Sequence, residues 1–310
     1  MPVAQPAQQR LTAPSPAELV ALAAVGKRLP GLFQRRLGVR GGSALSHYRG
    51  RGVEYDESRH YQPGDSLRHL DARVTARRGE PYTKVYQEDR ERALFLCVDD
   101  RACMHFATRG RFKRVIAAQA AALLGWKAFD EGNPIAVRIV RDASVENFRL
   151  RRGRTALARM IHGLSVPAHR HSVNEAQLTQ SLQAGWAGLS RQVPSGALLV
   201  VLSDFRALDD AAEAQLLRAR HHCQMLLLRI EDALERHLPQ AAGRYPVANA
   251  DGEATLFGGD SAAQARLSAT LAQRDARVAA LARSLRAPVF DLATDCVPAE
   301  QLNRLLHRRA

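Results

Sequence analysis

The apolar positions of the chain fall into two regimes that meet near residue 93. From there on, short continuous apolar runs alternate with stretches of helical period. Ala93–Val98 is apolar at every position, the pattern of a strand buried on both faces. Phe112 to Phe129 carries Phe112, Val115, Ile116, Leu123, Leu124 and Trp126 at helical spacing, with Gln119 a polar exception, and Gly132-Asn133-Pro134 stops the helix. The same reading predicts strands over 135–140, 145–150, 196–202, 223–230 and 288–292, and helices over 154–164, 172–190, 208–220 and 262–285. Strands separated by helices imply a three-layer, open, mostly parallel α/β sheet. The strand at 145–150 follows its neighbour too closely for a helical crossover, so it predicts an antiparallel edge hairpin.

Before residue 93 the pattern is different. Residues 1–14 are rich in Pro, Ala and Gln and predict a flexible N-terminus. Ser15-Pro16-Ala17-Glu18 has the cap, the first-turn proline and the acid of a helix start, and that helix should reach about Arg28. Glycines at 38, 41, 42, 50 and 52 break the following segment, and turns are signalled at Pro63-Gly64-Asp65 and Gly79-Glu80-Pro81. Tyr82 to Tyr86 alternates and predicts a strand. Four parts result: 1–14; a helix and charged segment over 15–92, expected to pack on the core; the α/β domain over 93–295; and a basic tail or helix over 296–310.

Composition narrows the function only a little. The 310 residues are 46% hydrophobic and 25% charged, which excludes disordered, collagen-like and coiled-coil classes. Four cysteines are too few for a disulfide scaffold and point to a reducing compartment. The most apolar early stretch, Leu19–Val25, is too short to span a bilayer, and no later run is longer than a strand, so a cytoplasmic protein is expected. The net charge of +14 would suit nucleic acid, anionic lipid or an acidic protein. Residues 27–92 hold 15 Lys/Arg against 9 Asp/Glu, an excess of six, but the two signs are interleaved as on a solvated surface. Nucleic-acid binding therefore stands as an alternative resting on charge alone, without an aromatic-basic platform.

Chemistry is best placed at strand ends, because open α/β sheets take ligands beyond their carboxyl edges. Asp99 follows the first core strand and Asp204 the fourth. His221-His222-Cys223 and His169-x-His171 lack zinc spacing, and no phosphate-binding glycine loop is present. Cys103, set in a loop beside Arg101, reads as an exposed thiol of lowered pKa, which leaves metal- or thiol-dependent catalysis as a further alternative.

The run Gly50-Arg-Gly-Val-Glu-Tyr-Asp-Glu-Ser-Arg59-His-Tyr-Gln-Pro-Gly-Asp65-Ser-Leu-Arg68-His-Leu-Asp71 resembles the bacterial family called domain of unknown function 58. So do Ala76-Arg77, Lys84, Glu88 to Arg92, Ser203-Asp204-Phe205, Asp232, Glu235, Leu238-Pro239 and Gly243. The resemblance covers roughly 15–295 and implies a von Willebrand factor A-like domain with a charged N-terminal extension. It further implies a non-catalytic binding module, partner or adaptor of a MoxR-type AAA+ ATPase and of an unknown client, acting in protein assembly, maturation or regulation. Such domains hold Mg²⁺ or Mn²⁺ on Asp-x-Ser-x-Ser, a threonine and a distant aspartate. Here Asp99, Thr155 and Asp204 are the matching positions, but Arg101 and Cys103 replace the serines. Arginine has no acceptor and cysteine is a soft ligand, so the site reads as degenerate, with Arg101 pairing with Asp99 or Asp204 in place of a cation. No cofactor is expected unless waters complete a shell. Arg101, Cys103, Arg59, Asp65, Arg68 and Asp71 are the candidates for partner contact or local architecture, with Arg68 and Asp71 expected to share a helix face.

Overall fold

The computed structural model describes residues 11–33, 53–62, 70–88, 92–166, 173–236, 243–249, 252–258 and 261–309. The chain divides into two units, 1–34 with 92–310, and 35–91.

The predicted N-terminal helix is two short ones, α1 (Pro16–Ala21) and α2 (Ala23–Lys27). The capping box is present, Ser15 Oγ accepting from the Glu18 amide at 3.2 Å. The break at Leu22 coincides with a diverted carbonyl: Leu19 O, which would close the next helical turn, accepts from Trp126 Nε1 at 2.9 Å. A Cβ on Gly26 would lie 2.7 Å from Trp126 Cβ, so glycine permits the close approach. Both helices belong to the larger unit.

The smaller unit contains β1 (Val53–His60), α3 (Ala72–Arg78) and β2 (Tyr82–Glu88), with β1 and β2 antiparallel. Of these three elements the hydrophobic pattern predicts β2. Asp71 caps α3 through the amides of Arg73 and Val74 and accepts from Ser58 Oγ at 2.7 Å. It therefore stands at the N-cap of α3, and Arg68, expected to share a helix face with it, lies outside the described residues. Gly79 closes α3 at φ +74°.

The larger unit continues with β3 (Leu94–Asp99), α4 (Lys113–Asp130), β4 (Ile135–Val140), β5 (Val145–Arg151), α5 (Gly153–Ser165), α6 (Glu175–Trp186), α7 (Leu189–Gln192), β6 (Leu198–Ser203), α8 (Asp210–Arg220), β7 (Gln224–Glu231), α9 (Ala233–Arg236), the hairpin β8 (Gly243–Asn249) and β9 (Gly252–Gly258), α10 (Ser261–Leu285), β10 (Val289–Ala293) and α11 (Pro298–Arg309). Six strands form one sheet in the order β10-β7-β6-β3-β4-β5. All its neighbours are parallel except the β4–β5 edge hairpin. Sequential connections leave β3 in one direction and β6 in the other, so the strand order reverses between them.

Helices cover both faces. Leu94, Leu96 and Val98 join α4, α5 and Leu302 and Leu306 of α11 in one apolar cluster. Phe95 and Cys97 join Trp186, Leu216 and Leu281 in the other. The alternation within β3 is the period of two that a strand buried on both sides requires. Helix α4 is buried nearly all round, which explains its lack of a polar face. Among the described residues no helix is long and apolar enough to cross a membrane.

Candidate functional site

Asp99 ends β3, and Ser203 ends β6 with Asp204 directly after it, at the point where the strand order reverses. Both aspartates are buried, and so are the groups that face them. Arg101 grips Asp99 with Nε at 2.9 Å and Nη2 at 2.7 Å, while Ser203 Oγ donates to the same carboxylate at 2.6 Å. Arg101 then reaches two other segments, through Nη1 to Leu178 O at 2.7 Å and through Nη2 to Arg206 O at 3.1 Å. Its side chain has no exposed surface. Burial opposes the charge, but Asp99 more than compensates, so the guanidinium is held more firmly protonated than an exposed one.

Asp204 is paired with a different cation. Lys113 Nζ lies 3.1 Å from Asp204 Oδ2 and 2.6 Å from Glu235 Oε1. Burial pushes the Asp204 carboxyl up, yet Lys113 and Arg101 bring it down to about 2. Burial lowers and Asp204 and Glu235 raise the Lys113 ammonium, with a net upward result. Two cations thus neutralise two carboxylates in a water-poor site, with Glu235 and Arg274 continuing the chain of charges at the rim.

Second charges fix the loops around this centre. Asp100 receives Arg114 Nε at 2.7 Å and Arg141 Nε at 3.1 Å. Burial pushes its carboxyl up, and the His105 ring 3.9 Å away with the Arg114 and Arg141 guanidinia bring it below the ordinary range. Asp232, after β7, accepts from Thr108 N, Thr108 Oγ1 and Thr294 Oγ1, joining the loop after β3 to the end of β10.

The predicted site residues separate on this frame. Asp99, Cys103 and Asp204 come together, their ligand atoms within 4.8 Å of one another. Thr155 does not join them; it is exposed in the first turn of α5. Cys103 is buried rather than exposed, and burial followed by the Asp204 charge pushes its thiol well up, opposite to the lowering expected from Arg101 alone. Arg59 lies on β1 and donates to His60 O at 3.1 Å. Asp65 and Arg68 lie outside the described residues.

Lys113, Arg114 and Ser203 are the residues whose roles sequence reasoning missed. A signal existed: two cations stand in the first turn of α4, where the helix dipole disfavours them. Cations retained at such a position imply dedicated acidic partners, here Asp204 and Asp100.

The donor set does not fit a hard divalent cation. Both oxygens of Asp99 are engaged, Asp204 is held by an ammonium, and the third group is a buried protonated thiol.

Residues 57–279 match the family described as Protein of unknown function DUF58. The chain belongs to the DUF58 family. Curated relatives of this DUF58 protein include uncharacterized protein Rv1480 of Mycobacterium tuberculosis strain H37Rv and uncharacterized protein Mb1516 of Mycobacterium bovis, each 29% identical over 263 residues, covering 84% of this chain and 81% of theirs. Among solved structures, conserved hypothetical protein BatB from Bacteroides thetaiotaomicron aligns with TM-score 0.42 and 9% identity over 70% of this chain and 98% of its own.

Proposed function

We propose that this DUF58 chain is a non-catalytic protein-binding module with a von Willebrand factor A-like core, the partner or adaptor of a MoxR-type AAA+ ATPase in protein assembly, maturation or regulation. The observation that carries the reading is the backbone that Arg101 holds. Phe205 and Ala207 both adopt positive φ, 55° and 60°, on either side of Arg206. Left-handed backbone at two non-glycine residues costs free energy and persists only where surrounding structure enforces it. Arg101 supplies that enforcement through the Arg206 carbonyl, and Ser203 Oγ and Asp204 Oδ1 accept from the amides of Phe205 and Arg206.

A buried ionic rivet that shapes a surface loop suits recognition better than turnover. The groups that would do chemistry are spent on each other, and what faces outward is shape and charge. The loop after β3 exposes Phe106 and Arg109, and the loop after β6 partly exposes Arg206. An aromatic anchor beside arginines on rigid loops is a composition favoured at interface hot spots. The von Willebrand factor A-like reading draws on the doubly wound strand order and on the two strand-end aspartates.

The test is co-purification with the ATPase using variants that leave the buried rivet intact. Phe106→Ala with Arg109→Glu and Arg206→Glu should abolish capture while the unfolding midpoint stays close to wild type. Capture undiminished by the triple variant would remove the strand-end loops as the docking surface.

A further inference from the structure

We propose that the outer edge of β5 is a docking strand for an extended acidic protein segment. This goes beyond the ATPase reading, uses a different surface, and stands or falls independently of it. β5 ends the six-stranded sheet, and among the described residues no strand pairs with its outer side. Such an edge offers a row of main-chain donors and acceptors to an added strand.

Beyond Glu146, which pairs with Arg141, the charge along this edge is basic. From Asn147 to Ser165 the sequence holds five arginines and neither Asp nor Glu. Arg149 and Arg151 lie on β5 itself and are exposed, and Arg154 is exposed just beyond it in the first turn of α5. Charged side chains on an edge strand also deter aggregation, so these alone decide nothing.

Arg138 is what edge protection leaves unexplained. It sits in β4 directly opposite Asn147 of β5 and is 5% exposed. Its Nε and Nη1 are buried with no hydrogen-bond partner among the described residues. Buried arginine is almost always paired, because an unpaired buried charge is costly. The alternation of β4 places Arg138 with Ala136 and Val140 on the sheet face that packs α6. Asn147, opposite it, is exposed, so that face is open at the β5 edge. A strand added there would bring alternate side chains onto the same face. Carboxylates at those positions would give Arg138 the partner it lacks and would meet Arg149 next along the edge.

The experiment is fluorescence anisotropy on the full chain with a labelled twelve-residue peptide of alternating Thr and Glu. Binding should weaken steeply with salt. The same peptide N-methylated at alternate residues, which blocks strand pairing without changing charge, should bind about tenfold more weakly or worse. Arg149→Glu with Arg151→Glu, both exposed, should cause a comparable loss with an unchanged circular dichroism spectrum. Arg138→Met should weaken binding while raising the unfolding midpoint, since it removes an uncompensated buried charge. Equal binding of the N-methylated peptide, or no binding of either peptide, would overturn the proposal. So would a lowered midpoint in Arg138→Met, or a single-stranded oligonucleotide of equal charge that binds more tightly than the peptide, which would make the edge a nucleic-acid site.

Discussion

Arg101 and Asp99 face each other at the end of β3 as a two-point fork, with Nε at 2.9 Å and Nη2 at 2.7 Å from separate carboxylate oxygens. Two residues apart in sequence, they would be a local detail if Arg101 stopped there. Its remaining donors bind carbonyls of Leu178 and Arg206, 77 and 105 residues away. One side chain therefore joins three segments at the switch point of the sheet. The pair is the reason the site has a shape, and its charges are the reason it is not an open acidic pocket.

Breaking this pair from one side should be severe. Arg101→Met leaves Asp99 buried with only Ser203 and a backbone amide as donors, and should cost about 3–5 kcal/mol in urea unfolding. Asp99→Leu with Arg101→Met removes both charges together and should recover most of that loss. A double variant as unstable as the single one would mean that the carbonyl contacts of Arg101, rather than charge pairing, hold the centre.

Acid should unfold the protein through the same charges. The folded Asp204 carboxyl is held at about 2, below its unfolded value near 3.9. A depressed folded pKa contributes stability that is fully present above the unfolded value and is lost as pH falls towards the folded one. Asp100 and Asp232 are also lowered and act in the same direction. The unfolding free energy should therefore hold steady above about pH 5 and fall steeply between about pH 4 and 2. Asp204→Asn should flatten that fall, and an unchanged acid limb would show that Asp204 is not among the groups that drive it.

The core of this architecture was legible because burial on both faces writes continuous apolar runs, as in Leu94–Val98 and Leu198–Leu202. Position at the carboxyl end of such runs was enough to single out Asp99 and Asp204. What could not be read was pairing across distance. Lys113 lies 91 residues from Asp204, and no periodicity records that contact. Thr155 was misplaced because a threonine near a glycine is common, and its helix begins at the opposite end of the sheet from the strand-end cluster. The β8–β9 hairpin and α3 carry no sustained apolar period, so the pattern along the chain does not predict them.

Two glycines separate backbone strain from steric contact. Gly79 and Gly110 share nearly the same φ, 74° and 73°. A Cβ on Gly79 would meet nothing within 4 Å, whereas one on Gly110 would lie 2.2 Å from Thr294 O. Gly79→Ala should cost about 1 kcal/mol, the left-handed penalty alone. Gly110→Ala should cost clearly more and should release the loop that Arg111 N ties to Thr294 O at 3.0 Å. Hydrogen exchange of the Arg111 amide would report that release, and equal costs for the two variants would mean that the loop shifts freely to admit the methyl.

The thiols should be quiet. Burial pushes Cys97 and Cys223 up to about 12 and Cys103 well above its ordinary value. Reaction with a disulfide reagent needs both thiolate and access. Native protein at pH 8 should leave Cys97 and Cys103 unmodified for as long as it stays folded, with both reacting on addition of urea. Rapid native labelling of Cys103 would restore the thiol-based alternative that its burial argues against.

Metal response gives the sharpest reading of the strand-end cluster. Asp99 and Asp204 could bind a divalent cation only by releasing Arg101 and Lys113, and both release steps leave a cation stranded in a buried site. Low-millimolar Mg²⁺ or Mn²⁺ should therefore produce no titration heat and no change in Tm. The variant Arg101→Ser, Cys103→Ser, Lys113→Met supplies two hydroxyls where the basic and thiol groups stood and removes both competing charges. Its Tm should rise with Mg²⁺ concentration, because a ligand that binds only the native state stabilises it. A wild-type Tm that rises with Mg²⁺, and stops rising in Asp204→Ala, would mean that the carboxylates exchange their internal cations for metal and that partner recognition at this surface is metal-dependent.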